Sequence, residues 1–217
     1  MKKYYVFLLF LCMLFLGACN NIEDDDRQTI SLGKADLIHI DHGSTALEVE
    51  SADIESLEVS SFLHKGFVIE EGKQTIKIRP KSDVRRMLNI GKTPSLSIRI
   101  PTSYEGKLTV DGSSGNVNIK NINVQQLDIQ GSSGSVSLEY LEINSNINVS
   151  VKSGNILLNL KDKNSSINWL LQSGSGRRSI AIPIDNRQQS NKKTQGQTGD
   201  GSFHVQLQTT SGNITVK

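Results

Sequence analysis

Residues 113–119 read Ser-Ser-Gly-Asn-Val-Asn-Ile, and the phrase returns as Ser132-Ser133-Gly134-Ser135-Val136-Ser137-Leu138, Ser153-Gly154-Asn155-Ile156-Leu157-Leu158 and Ser211-Gly212-Asn213-Ile214-Thr215-Val216. Taking the recurring pairs Ser114-Gly115, Ser133-Gly134, Ser153-Gly154, Ser173-Gly174 and Ser211-Gly212, the intervals are 19, 20, 20 and 38 residues. The last is close to two periods. A fixed period of this size is the signature of a stacked-repeat architecture. The residues after each Ser-Gly alternate apolar and polar, as a half-buried strand does.

A second strand occupies the other half of each period: Leu108-Thr109-Val110, Leu127-Asp128-Ile129, Ile147-Asn148-Val149, Ile167-Asn168-Trp169 and Val205-Gln206-Leu207. Alternation sends the aliphatic residues and Trp169 to one side, and Thr109, Asp128, Asn148, Asn168 and Gln206 to the other. Two strands per period of about 20 residues, joined at Gly and Ser corners, make one coil of a β-solenoid, with successive coils bonded in parallel. The expected fold is all-β, with serine and asparagine at the corners bonding backbone groups that the turns leave unpaired. Stacked Asp128, Asn148 and Asn168 would form an outward polar ladder, either solvating the sheet or presenting a surface to a glycan or another protein.

Upstream, the period is weaker but the strand character persists, with expected strands at 36–40, 46–49, 57–59, 67–69, 75–78 and 96–100. Glu71-Gly72-Lys73 reads as a hairpin turn, and Pro80 and Pro101 end their strands. Residues 83–88 have room for one helical turn. Residues 185–201 are rich in Gln, Asn, Lys and Gly where a regular rung is due, and read as a long surface loop.

The amino terminus has a different logic. Lys2 and Lys3 precede an apolar run from Tyr4 to Leu16 that closes with Leu16-Gly17-Ala18-Cys19. This is a signal-peptide pattern, shorter than a membrane span, and its close resembles the lipobox of bacterial lipoproteins. Residues 1–18 are expected to be cleaved, Cys19 to carry lipid, residues 19–29 to form a polar tether, and 30–217 a single domain. The protein is then expected at the cell membrane, lipid-anchored on the extracytoplasmic face. Loss of Cys12 leaves one cysteine and no disulfide, and loss of Lys2 and Lys3 brings the formal charge of +2 to zero. A neutral chain of this kind has no electrostatic footprint for nucleic acid.

The repeats, following a strand that ends Ile98-Arg99-Ile100-Pro101, resemble the "putative adhesin" domain family of bacterial envelope proteins, some of whose members occur in envelope-stress operons. The resemblance spans about 37–217 and includes Thr198-Gly199-Asp200-Gly201. It implies a right-handed parallel β-solenoid outside the cytoplasm, without catalytic residues. The sequence departs at Ser173-Gly174-Ser175-Gly176-Arg177-Arg178, which breaks the alternation.

Searches for chemistry return little. Gly66 to Gly72 has the wrong spacing for a phosphate loop and no helix follows. The Ser-Gly pairs lack the nucleophile-elbow pattern. His39 and His42, three apart at a strand end, suit no zinc set. No catalytic residue, metal or cofactor is expected. The favoured function is a non-enzymatic structural or ligand-binding envelope module, with an envelope protein or glycan as partner. The alternatives are an accessory of envelope-stress signalling and, behind it, a carbohydrate-active β-helix, which would need acids clustered on one face.

Overall fold

The computed structural model describes residues 26–62, 66–81 and 94–217. Cys19, the signal segment and the expected helical turn at 83–88 lie outside them. The described residues form nineteen strands and no helix. In chain order these begin with β1 (Asp26–Ile30), β2 (Leu37–Gly43), β3 (Ala46–Ala52), β4 (Leu57–Phe62), β5 (Phe67–Glu71), β6 (Thr75–Pro80) and β7 (Ser95–Pro101). The repeats supply β8 (Lys107–Gly112), β9 (Val117–Lys120), β10 (Gln126–Ser133), β11 (Val136–Tyr140), β12 (Asn146–Ser153) and β13 (Ile156–Leu160). The chain finishes with β14 (Ile167–Ser175), β15 (Arg178–Ile180), β16 (Asp185–Gln189), β17 (Lys193–Thr198), β18 (Phe203–Ser211) and β19 (Ile214–Val216).

The strands divide between two sheets, ordered β1-β4-β7-β3-β9-β11-β13-β19-β15 and β16-β17-β14-β18-β12-β10-β8-β2-β6-β5. Each coil contributes one strand to each sheet, and neighbouring coils pair in parallel, for example Leu127 with Ile147 and Val136 with Ile156. This is a β-solenoid-like stack of mixed sheets. Inward side chains of both sheets meet in one aliphatic core that includes Ile38, Leu108, Ile129, Val149, Leu158, Leu207 and Val216, all almost fully buried. Trp169 is fully buried among them, as its place in the alternation predicts.

The stacking order differs from chain order at both ends. The β2/β3 coil sits between β6/β7 and β8/β9, and the β18/β19 coil sits between β12/β13 and β14/β15. Antiparallel strands then close the stack: β4 on β7, β1 on β4, and β5 on β6 at one end, and β17 on β14 with β16 on β17 at the other. These cover ladders that would otherwise invite a foreign strand.

Two expectations are corrected here. The surface loop at 185–201 is the hairpin β16–β17, because Thr194 and Thr198 turn inward and are buried while its Gln and Lys residues point out. The tether does not extend to residue 29, since Asp26–Ile30 pairs with β4 and completes that end of its sheet.

Candidate ligand-binding face of the ten-stranded sheet

The corners give the face its regularity. A Cβ on Gly115 would collide with the Thr45 carbonyl, one on Gly134 or Gly154 with the carbonyl of the glycine below, one on Gly212 with Gly154, and one on Gly176 with Gly212. This is a column in which no side chain fits. Beside it, Asn116 Oδ1 accepts from Ser135 N–H, Asn155 Oδ1 from Asn213 N–H and Asn213 Oδ1 from Arg177 N–H, each at 2.9 Å. The repeated Ser-Gly-Asn is thus a packing device. In the interrupted copy the corner pair is Ser175-Gly176, in register with Ser211, and not Ser173-Gly174: β14 is offset by two residues, Trp169 facing Val205, and Ser173 turns inward to donate to the Gly212 carbonyl at 2.8 Å.

Outside the core the two sheets present different chemistry. The nine-stranded sheet carries a row of alternating charge through Glu58, Arg99, Glu50, Lys120 and Glu139, and Arg99 donates to Glu58 at 2.8 Å and stands 3.3 Å from Glu50. Every charge in that row faces one of opposite sign across the ladder. On the ten-stranded sheet one row runs from Glu70 through Lys77, His39, Thr109, Asp128, Asn148, Gln206, Leu170 and Gln195 to Gln188. Its first part is ionic: Arg79 holds the Glu70 carboxyl below the usual range at 2.8 Å, and His39 Nε2 stands 2.9 Å from Asp111 Oδ2. Its far part is amide.

Of the three residues expected to form a ladder, two are neighbours. Asn148 Nδ2 donates to Asp128 Oδ1 at 3.3 Å, Gln126 Nε2 donates to Asp128 Oδ2 at 2.7 Å, and Asn148 Oδ1 has no partner among the described residues. Asn168 does not continue the row. β18 lies between, so Asn148 is followed by Gln206, and β14 pairs with β18 two residues out of phase, so that Leu170 faces Gln206 while Asn168 faces His204 and Gln197 in the next row.

Asn168 and Leu170 instead line a shallow cleft of about 320 Å³ against Asn186, Gln188, Lys193, Gln195 and Gln197 of the hairpin. The hairpin is held down from beneath. Trp169 Nε1 donates to Thr198 Oγ1 at 3.1 Å, Thr198 Oγ1 donates to the Ser165 carbonyl at 2.7 Å, and Arg178 reaches the Ser190 and Asn191 carbonyls at 2.7 and 3.1 Å. A larger cleft, about 880 Å³, opens beside β2 and β8, lined in part by Leu32, Asp36, Tyr104 and Lys107. There the Tyr104 hydroxyl donates to the Lys107 carbonyl at 3.0 Å, and burial pushes its pKa to about 12.

His42 lies at the first corner. It is buried, its Nδ1 is 2.7 Å from the Thr45 carbonyl, and burial lowers its pKa despite Asp41 and Asp111 nearby. Its ring fills the space that Gly112 leaves open. Among the described residues no cluster of three or more His, Cys, Asp or Glu is placed to hold a metal ion.

The sequence matches the family described as Toastrack DUF4097 over residues 35–144 and again over 113–217. A crystal structure of a "putative cell adhesion protein" from Clostridium sporogenes has a TM-score of 0.68 at 13% identity, covering 89% of this chain and 98% of that one. A "putative adhesin" from Bacteroides fragilis superposes with a TM-score of 0.40 at 13% identity, covering 92% of this chain and 100% of that one. No curated protein matches the chain in sequence.

Proposed function

The chain belongs to the Toastrack DUF4097 family, and from that premise we propose that it is a non-enzymatic, lipid-anchored module of the cell envelope that binds an extracellular ligand. In this reading Cys19 carries the lipid, the chain is a right-handed solenoid on the extracytoplasmic side, and the outer face of the ten-stranded sheet is the working surface. The observation that carries it is the uncharged half of that face. Asn148, Gln206, Gln195 and Gln188 lie in one row with only Leu170 among them, and the ladder beneath holds them in fixed register. Amides on a rigid sheet offer paired donors and acceptors at little ordering cost.

The test is retention of envelope material by the full chain, with proteins and glycans both identified, set against a variant carrying Asn148→Arg and Gln206→Arg. Loss of the retained species in the variant supports the face. Equal retention moves the ligand elsewhere, and shortened polymer after incubation would support a carbohydrate-cleaving activity instead. Incorporation of labelled palmitate by the wild type and not by Cys19→Ala tests the anchor.

A further inference from the structure

The hairpin end of the ten-stranded sheet has a more specific chemistry than the rest of the face. Residues 160–217 hold eight Lys or Arg, three Asp and no Glu. Asp200 is engaged with Ser202, whose Oγ and N–H both donate to it. The cleft beside Asn168 continues into a second of about 270 Å³ along the hairpin, and both are lined by Gln188, Lys193 and Gln195. Lys193 is half-buried where they join, and among the described residues its ammonium has no ion-pair or hydrogen-bond partner. A partly desolvated cation without a counter-charge is a place for an anion.

We infer that this groove binds an acidic polysaccharide, with Lys193 holding a sugar carboxylate and the surrounding amides holding hydroxyls. The inference rests on the ligand-binding reading above and names its ligand class. Register places Gln172 and Gln208 beside Lys193, and Gln206, Leu170 and Gln195 in the adjoining row. Each amide can donate to one hydroxyl and accept from its neighbour. Leu170 supplies an apolar spot for the C–H face of a ring. Rungs about 4.8 Å apart repeat at nearly the length of one pyranose in an extended chain.

The choice of carboxylate over phosphate follows from which cation lines the groove: Lys193 does, and among the described residues no arginine does. A phosphate-linked polymer is best met by the forked guanidinium of arginine. Arg178 has its fork committed to the Ser190 and Asn191 carbonyls and its Nε to Thr194 Oγ1. Lys193 is a single point charge, suited to one carboxylate per site.

The experiment is affinity electrophoresis of the full detergent-solubilised chain through gels containing polygalacturonate, dextran or poly(glycerol phosphate). Retardation by polygalacturonate alone is expected, weakening on added salt. Lys193→Gln should weaken it at least about tenfold, the cost of one charge-assisted hydrogen bond, while Lys193→Arg keeps most of it and Lys120→Gln, on the other sheet, changes nothing. Tryptophan emission checks that each variant is folded. Preference for dextran or for poly(glycerol phosphate) overturns the inference. So does retardation that Lys193→Gln leaves unchanged, although ligand binding by the face would then stand. Failure to bind polygalacturonate while envelope polymer is still retained also removes the inference alone, whereas retention of nothing removes both readings.

Discussion

Gly212 stacks on Gly154: a Cβ on Gly212 would collide with the Gly154 carbonyl, and the adjoining Asn213 N–H donates to Asn155 Oδ1 at 2.9 Å across 58 residues of chain. The last coil therefore docks on the β12/β13 coil, and β14/β15 stacks outside it. Gly212→Ala must push two coils apart at a corner where backbone meets backbone. Overpacking of this kind costs about 1–3 kcal/mol, with a left-handed φ of +153° adding strain. Gly33 also has a positive φ but open space around it, so Gly33→Ala should cost only about 1–2 kcal/mol. Urea midpoints of the two variants measure the difference, and equal midpoints would remove the packing account of the Ser-Gly repeat.

Thr198 joins the hairpin to the core: its Oγ1 accepts from the indole N–H of Trp169, and its hydroxyl donates to the Ser165 carbonyl. Thr198→Val keeps the shape and leaves a buried donor and acceptor unmatched, at about 1–3 kcal/mol each where no water enters. Because Trp169 is the only tryptophan, its emission reports the site directly. A lower urea midpoint with a shifted native emission maximum is expected. An unchanged midpoint would mean that the pair contributes nothing net.

Much of this arrangement is written in local sequence. The apolar alternation locates β8 to β14, β18 and β19, and the turn at Glu71-Gly72-Lys73 appears as expected, with Gly72 N–H bonded to the Thr75 carbonyl at 2.7 Å. Neighbour order is not written there. A 20-residue period says that Asn148 and Asn168 share a phase, but β18 docks between their strands and β14 pairs with it two residues out of phase, so Leu170 takes the place in the row, and no local pattern records either event. The hairpin escaped for a different reason. Its inward residues are Thr194 and Thr198, so its alternation is polar on polar and invisible to a hydrophobic period. The groove was hidden with it, since Gln188, Lys193 and Gln195 acquire a common meaning only once β17 lies on β14. Likewise His39 and Asp111 are joined by β2 pairing with β8, which nothing near either residue announces.

Arg178 stands on the short strand β15 and ties the hairpin turn to the other sheet through Ser190, Asn191 and Thr194. Arg178→Ala should leave the core intact and loosen the hairpin first, because local opening draws on local bonds. Trypsin cuts after Lys192 and Lys193 report that opening. If the lost bonds lower the opening free energy by about 1.4 kcal/mol, cleavage speeds about tenfold when opening is fast relative to cutting. Cleavage at the wild-type rate would show that the antiparallel ladder alone holds the hairpin.

His42 makes the fold sensitive to mild acid. Its Nδ1–H donates to the Thr45 carbonyl, Gly112 packs against the Nε2 side, and burial lowers its pKa from the ordinary 6.5. Asp41 and Asp111 oppose the shift without cancelling it. The folded imidazole is therefore the weaker base. Between its folded pKa and 6.5 the unfolded chain binds more protons than the folded one, so stability rises with pH through that window and is lost as pH falls below 6.5. Above 6.5 the group is neutral in both states and contributes no slope. In His42→Asn the side-chain amide can still donate to Thr45 but cannot titrate. The variant should be less stable than the wild type at pH 7.5, because the smaller side chain leaves a cavity, and the gap should narrow as pH is lowered to 5.5. Urea unfolding followed by tryptophan emission at several pH values measures both curves. Curves that stay parallel across that range would show that His42 is not the group linking acid to the loss of the first corner.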